Sequence, residues 1–105
     1  MTTHNVTLRL NEKAKVSYAP VAADGQPAQI DNPFTPITFV SSNASVADVV
    51  NQNNTFYVFP ASAGSCSIVA TVKSAGVNVS EQINVTVNDA TAVSLGIVIS
   101  PPQPK

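Results

Sequence analysis

The sequence predicts an all-β domain, a two-sheet sandwich of about seven short strands. Apolar and polar residues alternate over most of the chain, and clusters of Gly, Pro, Asn and Ser separate the alternating runs. No segment keeps the apolar spacing of an amphipathic helix over a helix-length window. The chain has 105 residues, the size of one domain, and its 44% hydrophobic content is too high for a disordered polypeptide.

The first half of the chain contains three alternating runs and one long connection. The first strand is predicted over 6–10, where Val and Leu alternate with polar residues. A second run over 13–21 has Val and Tyr in phase. The connection 23–33 carries Asp-Gly and two prolines, and it is too rich in turn formers for regular structure. The next strand is predicted over 37–41.

The stretch SSNASVADVV, residues 41–50, leads from small polar residues into a short apolar run. It has too little helical spacing for a helix, so a corner followed by a strand over 46–50 fits better. Asn and Ser at such a corner hydrogen-bond their own backbone and hold the turn. We therefore interpret the stretch as structural, neither catalytic nor glycosylated.

The second half of the chain shows the same alternation of apolar and polar residues. A strand over 55–59 ends at a proline. Strands over 66–73 and 77–87 are separated by a Ser-Ala-Gly turn, so they are predicted to form a hairpin. Glu81 interrupts the apolar face of the second of these strands, which predicts a bulge or local exposure there.

The core is expected where the in-phase residues of the two sheets interdigitate. The single cysteine, Cys66, cannot form an internal disulfide and lies in an alternating run, so we expect a small buried hydrophobe. A nucleophilic role would need a histidine partner, and His4 near the terminus is the one candidate. The predicted core residues are Val6, Leu8, Val16, Tyr18, Ile37, Phe39, Val46, Ile68, Ala70, Val72, Ile83 and Val85.

The charge content argues against several classes of partner. Charged residues make up 10% of the chain, the net charge is −1, and the five basic residues are scattered, so nucleic-acid binding is not expected. No apolar run approaches the roughly 20 residues that span a bilayer, so no membrane is expected as a partner. The first residues alternate at once and lack the pattern of a signal peptide, so residence in the cytosol where the chain is made is expected.

The sequence contains no recognisable catalytic set, so we expect no catalytic residue, no cofactor and no enzymatic activity. The glycines are isolated, which excludes a phosphate-binding loop, and one Cys with one His cannot form a zinc site. Serines lie in turns and strands without a nearby His. Asp24 and Asp31 share one loop and could hold calcium with backbone carbonyls, but solvated turn residues are the favoured interpretation, and no metal is expected.

A further alternating segment follows the strands. The chain is divided into a sandwich, 1–88, and a C-terminal part, 89–105, which is predicted to contain an edge strand and a proline-rich tail. Two alternatives are open for its apolar residues: an added edge strand on the same domain, or a strand that pairs with a neighbouring subunit or docks on a larger partner. The residues concerned are Val93, Leu95, Ile97 and Ile99.

The segment ITFVSSNASVADVV resembles the "W-S-S-S-N-P-S-V-A-T-V" segment of bacterial immunoglobulin-like domains of the Big-2 type. The segment FPASAGSCSIVATVKSAGVNVSEQINVTV is similar to the closing segment of that family. The likeness covers 37–87, with Phe39 in the place of the family's usual Trp and Ala44 in the place of its Pro. The resemblance implies an immunoglobulin-like two-sheet sandwich and says almost nothing about activity.

Over the whole length, the order of segments resembles small stand-alone immunoglobulin-like proteins encoded among the virion genes of tailed bacteriophages. The D-G-Q-P-A turn and the A-V-S-L segment with its proline-rich end carry this likeness. It implies a non-enzymatic virion structural protein, a capsid decoration or fibre-like module, made in the host cytoplasm and located in the virion. The implied partners are a phage capsid or another virion protein, with a homo-oligomer as a further possibility.

A second hypothesis is a carbohydrate- or cell-surface-binding module, whose partner would be a host-surface glycan. Such a module would use an exposed aromatic side chain on a sheet face, and Tyr57 is the best candidate because it is out of phase with its apolar neighbours. The candidate partner-binding residues are therefore Val93, Leu95, Ile97, Ile99 and Tyr57.

Overall fold

The computed structural model of the protein describes residues 2–31 and 37–105, and these residues form seven β-strands and no helix. The all-β prediction is confirmed. The strands are β1 (Thr3–Arg9), β2 (Ala14–Val16), β3 (Thr38–Ser41), β4 (Ala47–Gln52), β5 (Thr55–Pro60), β6 (Gly64–Ser74) and β7 (Val77–Asn88).

The strands form two sheets that face each other. The four-stranded sheet has the order β1-β7-β6-β3, and the three-stranded sheet has the order β2-β5-β4. β1 runs parallel to β7, and all the other pairs of neighbours are antiparallel. This division, with β1, β7, β6 and β3 in one sheet and β2, β5 and β4 in the other, is the strand order of an immunoglobulin-type sandwich.

Two tight turns close the hairpins. Asn53 and Asn54 join β4 to β5 with φ of 53° and 63°, and Ala75 and Gly76 join β6 to β7 with φ of 51° and 76°. Positive φ at both central residues is the geometry of a type I′ turn, whose twist matches that of the flanking strands. Three of these residues are of the types that tolerate positive φ, whereas Ala75 does not favour it.

The register of the β6–β7 hairpin is unbroken over its whole length. Gly64 pairs with Val87 at one end and Ser74 pairs with Val77 at the other, with one partner for each residue between them. The bulge predicted near Glu81 is therefore wrong, whereas the alternative of local exposure is right, since the Glu81 side chain is 51% exposed. Glu81 lines a half-open cleft, where its carboxylate is 2.6 Å from His4 Nε2.

The corner within the stretch 41–50 is held as expected. Asn43 Oδ1 accepts the Ser45 N–H at 3.1 Å, and Asn43 O accepts the Val46 N–H at 3.0 Å. Ser41 Oγ accepts the Asn43 N–H at 3.2 Å and donates to Ala47 O at 2.7 Å. Side chains of the corner thus bind its own backbone, and β4 begins directly after it.

The core contains most of the residues that were predicted for it. Cys66 is buried, and its Sγ lies 3.7 Å from Ala47 O. Phe39, in the predicted core, is partly buried and packs its ring at 5.1 Å from that of Phe56. The buried apolar residues are Leu8, Ile37, Val46, Ala47, Val58, Cys66, Ile68, Val85 and Val87. Of these, the sequence prediction missed Ala47, Val58 and Val87.

The remaining predicted core residues lie towards one end of the sandwich, where the second sheet is short. The run predicted over 13–21 forms a strand only over Ala14–Val16, so Tyr18 lies beyond it and is 39% exposed. The predicted core residues that are partly buried are Val6, Val16, Phe39, Ala70, Val72 and Ile83. All six line a half-open cleft between the sheets, so their side chains are covered incompletely.

Within its described residues up to Asp31, the long connection after β2 has one isolated bridge, between Val21 and Pro27, and no regular strand. Asp24 Oδ1 accepts the Gln26 N–H at 3.0 Å, which closes a local turn. Asp31 reaches the tip of the β6–β7 hairpin instead. Pro33, one of the turn formers of this connection, lies outside the described residues.

Candidate assembly site

The C-terminal segment 93–99 presents its apolar side chains to solvent. Val93 is 101% exposed, Leu95 86%, Ile97 74% and Ile99 89%. None of these residues pairs with a described strand. The first alternative for this segment, an added edge strand on the same domain, is therefore not what the structure shows. The segment is unpaired and contains no strand.

The tail leaves the sandwich at the end of β7 and continues away from it. Asp89 Oδ1 accepts the Thr91 N–H at 2.8 Å, and this backbone hydrogen bond lowers the pKa of the Asp89 carboxyl below its ordinary value. The longest extent of the molecule is 77 Å, against 29 and 27 Å in the other directions. Its radius of gyration is 19.9 Å, whereas a compact domain of this length has about 13 Å.

The outer edge of β1 is the long edge of the four-stranded sheet. In a parallel ladder, alternate residues of a strand direct both backbone groups to the same neighbour. Thr2 O accepts the Gln82 N–H, and Leu10 N–H donates to Asn88 O, both at 3.0 Å. Even-numbered residues of β1 therefore bond to β7, and odd-numbered residues direct their N–H and C=O groups away from the sheet.

Part of this edge is closed by the chain itself. Glu12 Oε1 accepts the Arg9 N–H at 2.8 Å, and Arg9 O accepts the Glu12 N–H at 3.0 Å. Thr3, Asn5 and Thr7 have no backbone partner on that side among the described residues. The edge therefore offers backbone donors and acceptors over most of the length of β1.

A half-open apolar cleft of about 640 Å³ lies inside this edge. It opens at the seam between β2 and the first half of β1, which belong to different sheets, and continues between the connection after β2 and the β6–β7 hairpin. His4 Nε2 lies 2.6 Å from Glu81 Oε1 at its rim, and both side chains are more than half exposed. Apolar residues that line the cleft include Val6, Ala14, Val16, Tyr18, Ile30 and Val79.

The edge formed by β4 is different, because its outward backbone groups at Ala47 and Val49 already have partners. The Asp48 carboxylate accepts the Val49 N–H at 2.8 Å, and Ala47 O accepts the Ser41 hydroxyl. A strand that approached this edge would have to displace both side chains. Charged and polar groups placed in this way protect a sheet edge from pairing.

Tyr57 lies on the middle strand of the three-stranded sheet and is partly buried. The Lys13 ammonium group lies 4.2 Å from the centre of its ring and also donates to Gln52 Oε1 at 2.8 Å. Phe59 is 44% exposed on the same face of β5, and it was not singled out by the sequence. Alternation along 55–59 could have found it, because residues two apart share a face.

The polar groups considered for chemistry serve the fold. Asp31 accepts the Ala75 N–H at 2.7 Å and the Gly76 N–H at 2.8 Å, so its two oxygens hold the hairpin tip. Asp24 and Asp31 are thus engaged with different backbone segments. Within residues 2–31 and 37–105, no group of three or more His, Cys, Asp or Glu side chains could hold a metal ion. Neither range contains a helix that could cross a bilayer.

The fold and strand order define the class of protein, an immunoglobulin-like β-sandwich. No protein-family model matches the chain, and no curated protein matches it. Among solved structures it is similar to domains 4 and 5 of the S-layer protein SbsC, with a TM-score of 0.55 and 20% identity. The match covers 79% of this chain and 47% of that chain, so the chain spans about half the length of its neighbour. At this identity the likeness shows the fold alone.

Proposed function

We propose that the protein is a non-enzymatic structural module of a virion, a capsid decoration or fibre-like module that attaches through its C-terminal segment. The observation that carries this proposal is the row of apolar side chains over 93–99, which are exposed and outside any ladder. The sequence likeness to virion proteins supplies the kind of assembly, and an S-layer protein has domains of similar fold.

The free energy of burial favours attachment through this segment. Full burial of a Val, Leu or Ile side chain contributes about 1.5–3 kcal/mol, and the tail exposes four in one phase. Ordering the tail on a partner costs conformational entropy, which offsets part of this gain. Strand addition would also pair backbone groups that are now solvated.

The surface of the sandwich is suited to packing against other protein surfaces. Only 10% of the residues are charged, so few charges must be desolvated when two such surfaces meet. Its polar residues are mostly uncharged. An interface of this composition depends little on ionic strength, because few ion pairs contribute to it.

The test is binding to matching capsids, with the quantity of protein in purified virions measured by mass spectrometry. Full-length protein should co-sediment with capsids, and Leu95→Asp should abolish this because it places a charge on the apolar face of the tail. Val98→Asp is the matched control, since residue 98 is out of phase with that face. Absence from virions and no binding to capsids would refute the proposal.

A second candidate function, binding of a carbohydrate or cell surface, has one observation in its favour. Tyr57 and Phe59 share the outer face of the three-stranded sheet and are partly open to solvent. Lys13 covers part of the Tyr57 ring, which reduces the area for stacking on a sugar. A glycan array would support this candidate if it shows binding that Tyr57→Ala abolishes and Val40→Ala, on the other sheet, leaves intact.

A further inference from the structure

We infer that segment 93–99 of one copy adds as a strand to the β1 edge of a second copy, with its in-phase apolar side chains over the cleft between β1 and β2. This inference rests on the fibre-like form of the proposed function and names the partner of the tail. Three features of the chain favour this pairing: the backbone groups of the β1 edge, the apolar seam beside it, and the path of the tail.

The backbone of the tail matches that of the β1 edge. β1 has seven residues, and the span 93–99 has the same length. The outward groups of Thr3, Asn5 and Thr7 are available for a new ladder, whereas Glu12 already binds Arg9. The tail contains no proline before Pro101, so each of its residues keeps an N–H group.

The side chains of the tail also match this edge. An added strand places every second side chain on the inner face of the sheet, next to Val6 and above the seam with β2. Val93, Leu95, Ile97 and Ile99 have this spacing. The alternate positions are Ser94, Gly96 and Val98, which would lie on the outer side of the sheet.

Gly96 allows the tail to change into a β-strand when it binds the β1 edge. Its φ is 64° in the free tail, a conformation that glycine adopts without steric cost. An added Cβ would meet nothing within 4 Å, so no packing holds this residue in place. The glycine can therefore change to the extended conformation that a ladder needs.

The path of the chain directs the tail to another copy. β7 and β1 run parallel and end side by side, where Leu10 N–H donates to Asn88 O. To reach the outer edge of its own β1, the tail would have to cross the turn closed by Arg9 and Glu12 and reverse its direction. It extends away from the sandwich instead, which gives the molecule its length of 77 Å.

A second copy is the partner because the same chain contains both the donor segment, 93–99, and the acceptor edge, β1. The donor segment and the acceptor edge agree in length, Val6 and Leu8 of β1 lie on the face that the apolar side chains of the tail would join, and Asp48 blocks part of the β4 edge of the same domain. Donation in one direction joins copies into a chain, and reciprocal donation closes a dimer. Either form buries the apolar face of the tail.

Mass measurement in solution tests the inference on the full-length chain. Light scattering with size-exclusion chromatography should show dimers or longer assemblies that dissociate on dilution. Leu95→Asp and Ile97→Asp should each raise the dissociation constant by about 30-fold or more, the size expected for a central buried anchor. Val98→Asp should leave the dissociation constant within about threefold of wild type, because residue 98 lies on the other face.

The acceptor edge is tested separately with Thr7→Pro. Residue 7 directs its N–H away from β7, so proline removes a donor of the free edge and no hydrogen bond of the existing ladder. This variant should not self-associate, but it should form a one-to-one complex with Leu95→Asp, which keeps an intact acceptor. Thermal unfolding of each variant shows whether it is folded.

Hydrogen exchange gives a readout at single amides. Assembly should protect the amides of Asn5 and Thr7 in the wild-type protein, and Leu95→Asp should leave them unprotected, whereas Val6 and Leu8 stay protected in both by the ladder with β7. A monomeric wild type, or assembly that survives Thr7→Pro with Asn5 unprotected, would overturn the inference. Capsid binding by such a monomer would leave the proposed function standing.

Discussion

The sandwich and the tail share one sequence pattern but differ in structure. In the sandwich, Ile68 and Val85 are 0% and 1% exposed, because a facing sheet covers them. In the tail, Leu95 and Ile97 alternate in the same way and are 86% and 74% exposed. Alternation therefore makes a segment competent to pair, whereas a neighbouring strand and a facing sheet decide whether it is buried.

Truncation of one isoleucine in each region should give the largest difference in the free energy of unfolding. Ile68→Ala should lower the free energy of unfolding by about 2–5 kcal/mol, because it leaves a cavity in the packed core. Ile97→Ala, measured where the protein is monomeric, should change it by less than about 0.5 kcal/mol. Urea denaturation measures both. A large effect of Ile97→Ala in the monomer would mean that the tail packs on its own domain.

The hairpin tip allows a similar comparison between two loop carboxylates. Asp31→Ala removes two hydrogen bonds to backbone N–H groups and should destabilise the fold by about 1–2 kcal/mol, reduced by solvent exposure. Asp24→Ala removes one local bond to the Gln26 N–H and should cost about 0.5 kcal/mol. Thermal or urea unfolding of both variants tests this order. Equal effects would show that Asp31 does not anchor the connection to the hairpin.

The turn between β6 and β7 should be improved by a better residue at positive φ. Ala75→Asn should raise the free energy of unfolding by about 0.5–1 kcal/mol, since Ala is strained at φ 51° and Asn-Gly favours a type I′ turn. Asn53→Ala makes the opposite change at the equivalent position of the other hairpin and should destabilise it. A destabilised Ala75→Asn variant would argue against the type I′ geometry.

Removal of the tail should separate its contribution to self-association from its contribution to stability. Truncation after Asn88 keeps every ladder hydrogen bond of β7, so the free energy of unfolding should stay within about 0.5 kcal/mol. Self-association should be lost at the same time. Urea denaturation and light scattering provide the two measurements. A shortened chain that fails to fold would show that 89–105 belongs to the domain's own core.

The smallest expected effect is a local response to acid at the start of the tail. The pKa of Asp89 is lowered in the folded protein, so its bond to Thr91 is fully present above the ordinary pKa of 3.8 and is lost as the pH falls through the lowered value. An NMR titration should show the Thr91 amide shifting only below that ordinary value. Asp89→Asn should remove the response, and a shift at neutral pH would contradict it.

Much of the sandwich was predictable because strand pairs with one buried face impose alternation. The strand predicted over 46–50 appears as Ala47–Gln52, and the hairpin of 66–73 and 77–87 appears as β6 and β7. Asn43 was correctly expected to hold its own turn, since this contact is local. The bulge at Glu81 was wrongly expected, because a polar residue on an apolar face can also lie at an open cleft, where solvent reaches it.

The candidate site was predictable only in part. The apolar residues of the tail were identified from their spacing, but the β1 edge and the seam beside it depend on which strands lie next to each other. Phe59 was missed, although its phase placed it with Tyr57. Strand order is non-local, so no pattern within β1 indicates that only one of its edges is paired.

By itself, the amino-acid sequence determined that this chain forms strands with one apolar face, where most of its turns fall, and that an apolar segment follows the last strand. Three features became visible in the tertiary structure alone: β1 runs beside β7, β2 has only three residues, and the tail has no partner within the described residues. The physical reason is that alternation follows from local geometry, whereas burial depends on long-range pairing between segments far apart in the chain.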